Sequence, residues 1–339
     1  MTTALPKIRF RDPQVEMAHG AGGIASRRLI DGLFAPILFG PTAEPLGDAA
    51  HVSINGTRVA MTTDSFVVRP LSFPGGSIGE RAVNRTVNDL AVSGARAEAL
   101  VVSYVLEAGL PTEILEAEVR AMAEAAHRSG VIIAGGDTKV VEHGKADQMY
   151  ITTSGIGRII AGVSISPAAV RAGDKILLSG PIGDHGITIL LARGELDLEA
   201  DLRSDTRSVL PLVESLAAAV GGEIHWMRDP TRGGVATSLN ELARDCGLGI
   251  VLFEDRIRVR DAVRGACELL GLDPLHIANE GQFLAVVAAD CADAALEVLR
   301  QTPGGADAVL IGEVARQPAG AVLGDNALRR RPNRRHACR

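Results

Sequence analysis

The sequence predicts an α+β protein made of two α/β domains followed by a flexible tail. Three observations carry that prediction. Strand and helix signals in the first half run two strands, helix, strand, helix, two strands, the order expected of helices laid on one face of a mixed sheet. Past a boundary near Pro167–Asp174 a second series of strands and helices begins. The final stretch, Arg329 to Arg339, carries six arginines and one cysteine, and a segment so charged cannot bury itself. At 339 residues the chain is long enough for two domains of roughly 150 residues each. We divide it into a glycine-rich segment (1–47), a first domain (48–166), a second domain (167–325) and the tail (326–339).

In order along the chain, Ser26–Phe34 is a short helical stretch. His51–Ile54 and Arg58–Thr63 flank Asn55-Gly56, a pair that favours a tight hairpin. Ser77–Val92 reads as a helix: Ser77 and Glu80 have capping-box spacing, and Ala82, Val83, Thr86, Val87, Leu90 and Ala91 share one side. Ala99–Leu106 is a strand. Thr112–Arg128 is a helix with acids early, His127 and Arg128 late and Gly130 as its stop. Val131–Ala134 and Met149–Gly157 complete the first set of strands. In the second domain the expected strands are Lys175–Ser179, Glu223–Met227, Gly249–Phe253, Gln282–Ala288 and Ala308–Glu313. The expected helices are Ile187–Arg193, Asp205–Val220, Gly234–Asp245, Asp261–Leu270 and Cys291–Gln301.

Composition removes several classes of function. With 46% hydrophobic and 22% charged residues the chain is globular, and with 3% aromatics its core must come from Ala, Val, Leu and Ile. A net charge of −6 argues against a general nucleic-acid binder. No charge-free apolar run approaches the ~18 residues of a membrane span. Cys246, Cys267, Cys291 and Cys338 form no CxxC pair, which suits neither a disulfide framework nor a zinc site, so a reducing cytoplasm is the expected location.

Four aspartates stand where elements end or polar helix faces begin: Asp48 before the hairpin, Asp64 after its second strand, Asp89 on the first long helix, and Asp137 in Gly135-Gly136-Asp137-Thr138-Lys139, read as a loop after a strand. Oxygen donors from several loops suit Mg²⁺, and glycines beside them leave N–H groups free for phosphates. Each aspartate taken alone is more often a turn or cap residue, and it is the convergence of four that points to metal. No GxxxxGK[ST] run exists, so a nucleotide would be held by another device. Further glycine-rich loops are His19–Gly23, Gly183–Gly186 and Arg228–Gly234, the last two placed ahead of helices where anions are favoured. Asp229 fits two roles, helix N-cap or ligand, and Glu280 of Asn279-Glu280-Gly281 fits turn acid or general base. His225 and His276 read as packed or surface residues, and Cys246, Cys267 and Cys291 as small core residues. Cys338 differs, because the arginines around it favour its thiolate.

Taken together, AHGAGG (Ala18–Gly23), TTDSFVV.P (Thr62–Pro70), FPGG.IG (Phe73–Gly79), NDLAVSGA (Asn88–Ala95), GGDTKVV (Gly135–Val141), SGPIGDHG (Ser179–Gly186), RDPTRGGV (Arg228–Val235), CELLGLD (Cys267–Asp273) and ANEG (Ala278–Gly281) resemble the HypE family of hydrogenase-maturation carbamoyl dehydratases. That family lies within the ATP-using group of aminoimidazole ribotide synthetase, selenophosphate synthetase and thiamine-phosphate kinase, and the likeness spans about 17–325. The resemblance implies an aminoimidazole ribotide synthetase-like fold, dimerised through the N-terminal mixed sheet. It also implies ATP and Mg²⁺ as cofactors, and as partners a HypF-like carbamoyltransferase and a HypC–HypD complex. The carbamoylated C-terminal cysteine, here Cys338, would be dehydrated to a thiocyanate that supplies cyanide to the iron of a nickel–iron hydrogenase.

Residue by residue, the resemblance gives Lys139 charge stabilisation or proton transfer and Glu280 proton abstraction. Asp48, Asp64, Asp89 and Asp137 become metal ligands. Gly22, Gly23, Thr63, Asp64, Asn88, Gly135, Gly136, Thr138, Asp229 and Arg232 become nucleotide-binding positions. The end departs from the family's usual Pro-Arg-Ile-Cys: here Cys338 is followed by Arg339. Two other readings stand beside the dehydratase, another synthetase or kinase of the same group and a non-catalytic scaffold. The lack of any cysteine before Cys246 counts against selenophosphate synthetase, and Lys139 with Glu280 counts against a scaffold.

Overall fold

The computed structural model describes residues 9–39, 47–194 and 200–325. Among the described residues the first α-helix is α1 (Gly23–Leu29), which continues through a π-helical stretch, Ile30–Phe34, into α2 (Ala35–Leu38). The helix expected at Ser26–Phe34 therefore starts earlier and runs further. β1 (Ala50–Ile54) and β2 (Thr57–Phe66) form the expected hairpin, and Asn55 and Gly56 both take positive φ (49° and 82°), as its two-residue turn requires. A small ribbon, β3 (Ser72–Phe73) and β4 (Gly76–Ser77), leads into α3 (Ile78–Val92). Ser77 caps α3 by accepting from the Glu80 amide at 3.4 Å, while the Glu80 carboxylate pairs with Arg128.

β5 (Ala95–Glu107), α4 (Thr112–Ser129), β6 (Ile132–Val141) and β7 (Met149–Ile159) complete the first domain. Gly130 ends α4 in the left-handed conformation, φ 64°, the residue type that conformation favours. The sheet order is β1-β2-β7-β5-β6, antiparallel except for β5 and β6, which α4 joins as a parallel crossover. β6 is longer than expected: Gly135 to Lys139 lie within the strand rather than after it. Gly136 is needed there, because a Cβ would stand 2.0 Å from the Val102 carbonyl oxygen. Helices α3 and α4 cover one face of the sheet. The other face is open and carries Met61, Thr63, Ser65 and Val101.

The second domain runs β8 (Lys175–Leu178), α5 (Asp184–Ala192), α6 (Leu210–Val220), β9 (Ile224–Arg228), α7 (Gly234–Cys246), β10 (Gly249–Leu252), α8 (Asp261–Leu270), β11 (Leu284–Val287), α9 (Ala292–Gln301), β12 (Val309–Ala315) and β13 (Val322–Gly324). Its sheet order is β13-β10-β12-β8-β11-β9, with only β13 parallel to its neighbour. Its central strands are covered on both faces, which is why they read as apolar runs without alternation. Helix α5 begins at Asp184, three residues before the expected Ile187. The helix expected from Asp205 begins at Leu210, and β13 carries too little pattern to be foreseen.

One apolar core joins the domains. Val83, Val87 and Leu90 of α3 pack in the same cluster as Leu212, Val213 and Leu216 of α6 and Ala285 of β11. Each leucine so buried contributes about 1.5–3 kcal/mol. With a sheet on one flank and the second domain on the other, α3 is buried nearly all round, so its polar residues are carried into the seam. No helix among the described residues is long and apolar enough to cross a membrane.

Candidate active site

Arg81, Arg85, Asn88 and Asp89 recur at three- and four-residue spacing on α3, so one side of the helix presents them together. Arg85 is at the centre. Its Nε donates to Asp64 Oδ2 at 2.7 Å, while its terminal nitrogens lie 3.3 Å from Asp229 Oδ2 and 3.7 Å from Asp89 Oδ1. Arg228 reaches Asp48 (3.1 Å) and Glu241 (3.5 Å), and Arg232 reaches the second oxygen of Asp64 at 3.5 Å. Thr62 donates to the Asp48 carbonyl at 2.7 Å and stands 3.3 Å from Asp89 Oδ2. Burial pushes the Asp229 carboxyl up to about 7 against the pull of Arg85, and burial likewise holds Asp89 well above the usual range. Burial alone would weaken the Arg85 charge, but Asp229, Asp89, Glu280 and Asp64 together outweigh it and hold the guanidinium protonated. Asp89 Oδ1 and Asp229 Oδ1 are buried with no hydrogen-bond partner.

Glu280 stands further along the same seam, in the turn before β11. Arg81 donates to its Oε1 at 2.7 Å, and His185 Nε2 lies 3.8 Å from the same oxygen. Its Oε2 is buried and unpartnered. Burial pushes this carboxyl up, but Arg81, His185 and Arg85 overcome it and bring the group down to about 2, so it is ionised.

Residues 204–209 form a strap around its backbone. Asp205 accepts from the amides of Glu280 (3.1 Å) and Gly281 (3.2 Å), and Arg207 Nε donates to the Gly281 carbonyl at 2.9 Å. Asn88 ties the strap to the first domain: its Nδ2 donates to the carbonyls of Arg207 (2.9 Å) and Glu280 (3.1 Å), and its Oδ1 accepts from Val209 at 2.8 Å. Only glycine fits at 281, where a Cβ would stand 1.8 Å from the Asp205 carbonyl oxygen.

His185 is buried between Ser204, whose Oγ lies 2.8 Å from its Nδ1, and the Phe73 ring, which it meets edge-on. Burial, helped by Arg81 and Arg85 and opposed by Glu280, lowers it from the usual 6.5 to about 4. A depressed histidine supplies stability that is present above pH 6.5 and is lost as pH falls through about 4. Denaturant melts of the wild type and His185→Gln should therefore diverge with pH, the wild type losing roughly 3 kcal/mol more between pH 6.5 and 4.

The fold is matched by comparisons with known proteins. The patterns described as AIR synthase related protein, N-terminal domain and C-terminal domain, match residues 46–159 and 171–325. The carbamoyl dehydratase HypE of Azotobacter vinelandii is 48% identical over 310 residues, covering 91% of each chain. The chain belongs to the HypE family. Among solved structures, a hydrogenase maturation protein HypE in complex with ATP is 45% identical with a TM-score of 0.76, covering 91% of this chain and 93% of that one. The HypE of a HypE–HypF complex is 42% identical with a TM-score of 0.82, covering 87% of this chain and 95% of that one.

The structure draws some of the expected HypE-family positions together and separates others. Asp48, Asp64, Asp89, Asp229 and Arg232 converge. Gly22 joins them from the N-terminal loop: its positive φ of 83° needs glycine, and a Cβ would stand 3.0 Å from Arg232. Gly23 follows as the first residue of α1. Asp229 is not an N-cap, because α7 begins at Gly234 with Gly233 in that place.

Three groups of expected positions lie away from this cluster or are otherwise engaged within the chain. Thr63 points to the open face of the sheet, where its hydroxyl bonds Thr153 and Ser154; strand alternation puts Thr62 in the site instead. Asn88 has both polar atoms committed to the strap, so it clamps the domains together. Gly135, Gly136, Asp137, Thr138 and Lys139 lie on β6, the exposed edge strand separated from β2 by β7 and β5. Within one chain, Asp137 and Lys139 therefore stand apart from both Asp64 and Glu280. Cys338 lies outside the described residues.

Magnesium demands octahedral oxygen coordination. The four expected carboxylates do not supply it within one chain: Asp137 is on the far edge, and Asp48, Asp64 and Asp89 each face an arginine. Among the described residues no group of three or more His, Cys, Asp or Glu side chains is arranged to hold a metal ion. The residues do not fit a preformed magnesium site.

Sequence reading missed Arg81, Arg85, His185 as a neighbour of Glu280, and Asp205. The four-residue ladder Arg81–Arg85–Asp89 on a helix with a wide apolar side was the signal available for the first two.

Proposed function

We propose that the chain uses ATP to dehydrate a carbamoyl group carried on Cys338, leaving a thiocyanate that supplies cyanide for nickel–iron hydrogenase maturation. The observation that carries this reading is Glu280: an ionised, buried carboxylate with one unpartnered oxygen, at the seam where Asp64 of β2, Asp89 of α3 and the Asp229 loop meet. Phosphorylation of the carbamoyl oxygen from ATP releases ADP and turns a poor leaving group into a good one. One N–H proton leaves to solvent as the O-phosphorylated imine forms; loss of phosphate, with the second N–H proton passing to Glu280 Oε2, then leaves the C≡N bond. Lys139 stabilises developing charge. Because β6 is an exposed edge and the sheet face beside it is open, pairing with a second copy is part of the proposal, and it offers a route for Lys139 to reach the partner subunit's site. The magnesium implied by the family arrives as the nucleotide's counterion. A HypF-type carbamoyltransferase charges Cys338, a HypC–HypD-type complex receives the cyanide, and the free thiol substrate suits a reducing cytoplasm.

Intact-mass analysis of the C-terminal peptide tests this reading. With carbamoyl phosphate, the carbamoyltransferase and ATP, Cys338 should gain a cyano group and Cys338→Ala should gain nothing. No cyano product beside an active partner enzyme rejects the reading.

A further inference from the structure

We propose that Arg85 is a built-in cation standing where this chain's carboxylates would otherwise hold a divalent metal, so that the nucleotide-free protein holds no metal at the seam. Three carboxylates from three elements surround one guanidinium: Asp64 of β2 at 2.7 Å, Asp229 of the loop after β9 at 3.3 Å and Asp89 of α3 itself at 3.7 Å. The Arg85 side chain is only 9% exposed, and both flanks of α3 are packed, so it has little room to swing into solvent. A dication among the same oxygens would lie within a few ångströms of a charge that arginine does not lose, in surroundings where like charges repel strongly. The site therefore takes one cation or the other.

Two features give the arrangement a use. Asp89 Oδ1 and Asp229 Oδ1 are buried acceptors with no hydrogen bond, so the carboxylates are incompletely satisfied by the arginine and keep capacity for a stronger cation. A guanidinium is also a planar donor suited to phosphate oxygens. A polyphosphate entering the seam offers Arg85 new acceptors, and the carboxylates it leaves are then free. The inference deepens the ATP reading of this same site and rests on it for that exchange.

The test uses the full-length protein with Mn²⁺ alone and neither nucleotide nor carbamoyl donor, so its failure leaves the dehydratase reading standing. Free Mn²⁺ is followed by electron paramagnetic resonance. The wild type should show no saturable site up to millimolar metal. Arg85→Ala should bind one ion at least about tenfold more tightly, and adding Asp89→Asn should abolish the gain. Arg85→Lys, which keeps the charge, should behave as wild type. Should Arg85→Ala not fold, the wild-type titration decides: a saturable Mn²⁺ site that Asp89→Asn removes overturns the proposal. A folded Arg85→Ala with no gain in Mn²⁺ affinity overturns it as well.

Discussion

Glu280→Gln should stop thiocyanate formation while leaving carbamoylation of Cys338 intact. The substitution keeps the shape of the side chain and the backbone anchors at 280 and 281, and it removes only the basic oxygen. General-base losses are on the order of 10²–10⁴-fold in rate, and the lower end is expected here, because the neighbouring groups that keep Glu280 ionised bring it down to about 2 and so weaken it as a base. Mass spectrometry of the C-terminal peptide after a single turnover should show the carbamoyl adduct persisting. Normal conversion to the cyano product by the Gln variant would remove Glu280 from the mechanism. A variant failing at carbamoylation instead would show that the residue serves partner docking.

The second large effect belongs to Asp205, which touches no substrate in this account. Both its oxygens accept buried amides, those of Glu280 and Gly281. Burial raises this carboxyl to about 6, against the lowering effect of the Glu280 amide, so at neutral pH it is ionised and accepts both bonds. Asp205→Ala leaves two buried N–H groups without acceptors. At about 1–3 kcal/mol for each, the loss is about 2–6 kcal/mol, readable as a lower urea midpoint at unchanged slope. The dehydration rate should fall with it, since a displacement of about 1 Å at the reacting group costs about 10²-fold. Asp205→Asn retains one acceptor and should recover part of both effects. Unchanged stability in the Ala variant would show that water takes over the two amides.

Much of the fold was legible because local signals agreed with one another. Asn55-Gly56 set the hairpin, Ser77 the start of α3, and Gly130 the end of α4. Misreadings came where tertiary context overrides local pattern. Gly135-Gly136 looked like a loop because glycine usually marks turns, yet glycine is required at 136 by the close approach of β5 to β6. Residues 205–209 looked helical, but Asp205, Arg207 and the Val209 amide are committed to Glu280, Gly281 and Asn88 and do not join α6.

The candidate site was legible as a set of motifs and not as a geometry. Asp64, Asp229 and Glu280 were named, and so was Arg232 beside Asp64, but Arg81 and Arg85 were not. An arginine on a helix surface and one buried in a seam read the same in sequence, and α3 becomes a seam helix only when the second domain covers it. Thr62 and Thr63 were similarly indistinguishable until strand register chose between them.

Helix α3 is shared property. Its apolar side completes the interior of both halves of the molecule, while its arginines and aspartate belong to the chemistry. The halves are therefore not severable parts, since dividing the chain at the linker would leave one of them an uncovered greasy wall. The protein has tied its reaction to its own cohesion: whatever loosens the joint between the halves also dismantles the catalyst, before either half has melted.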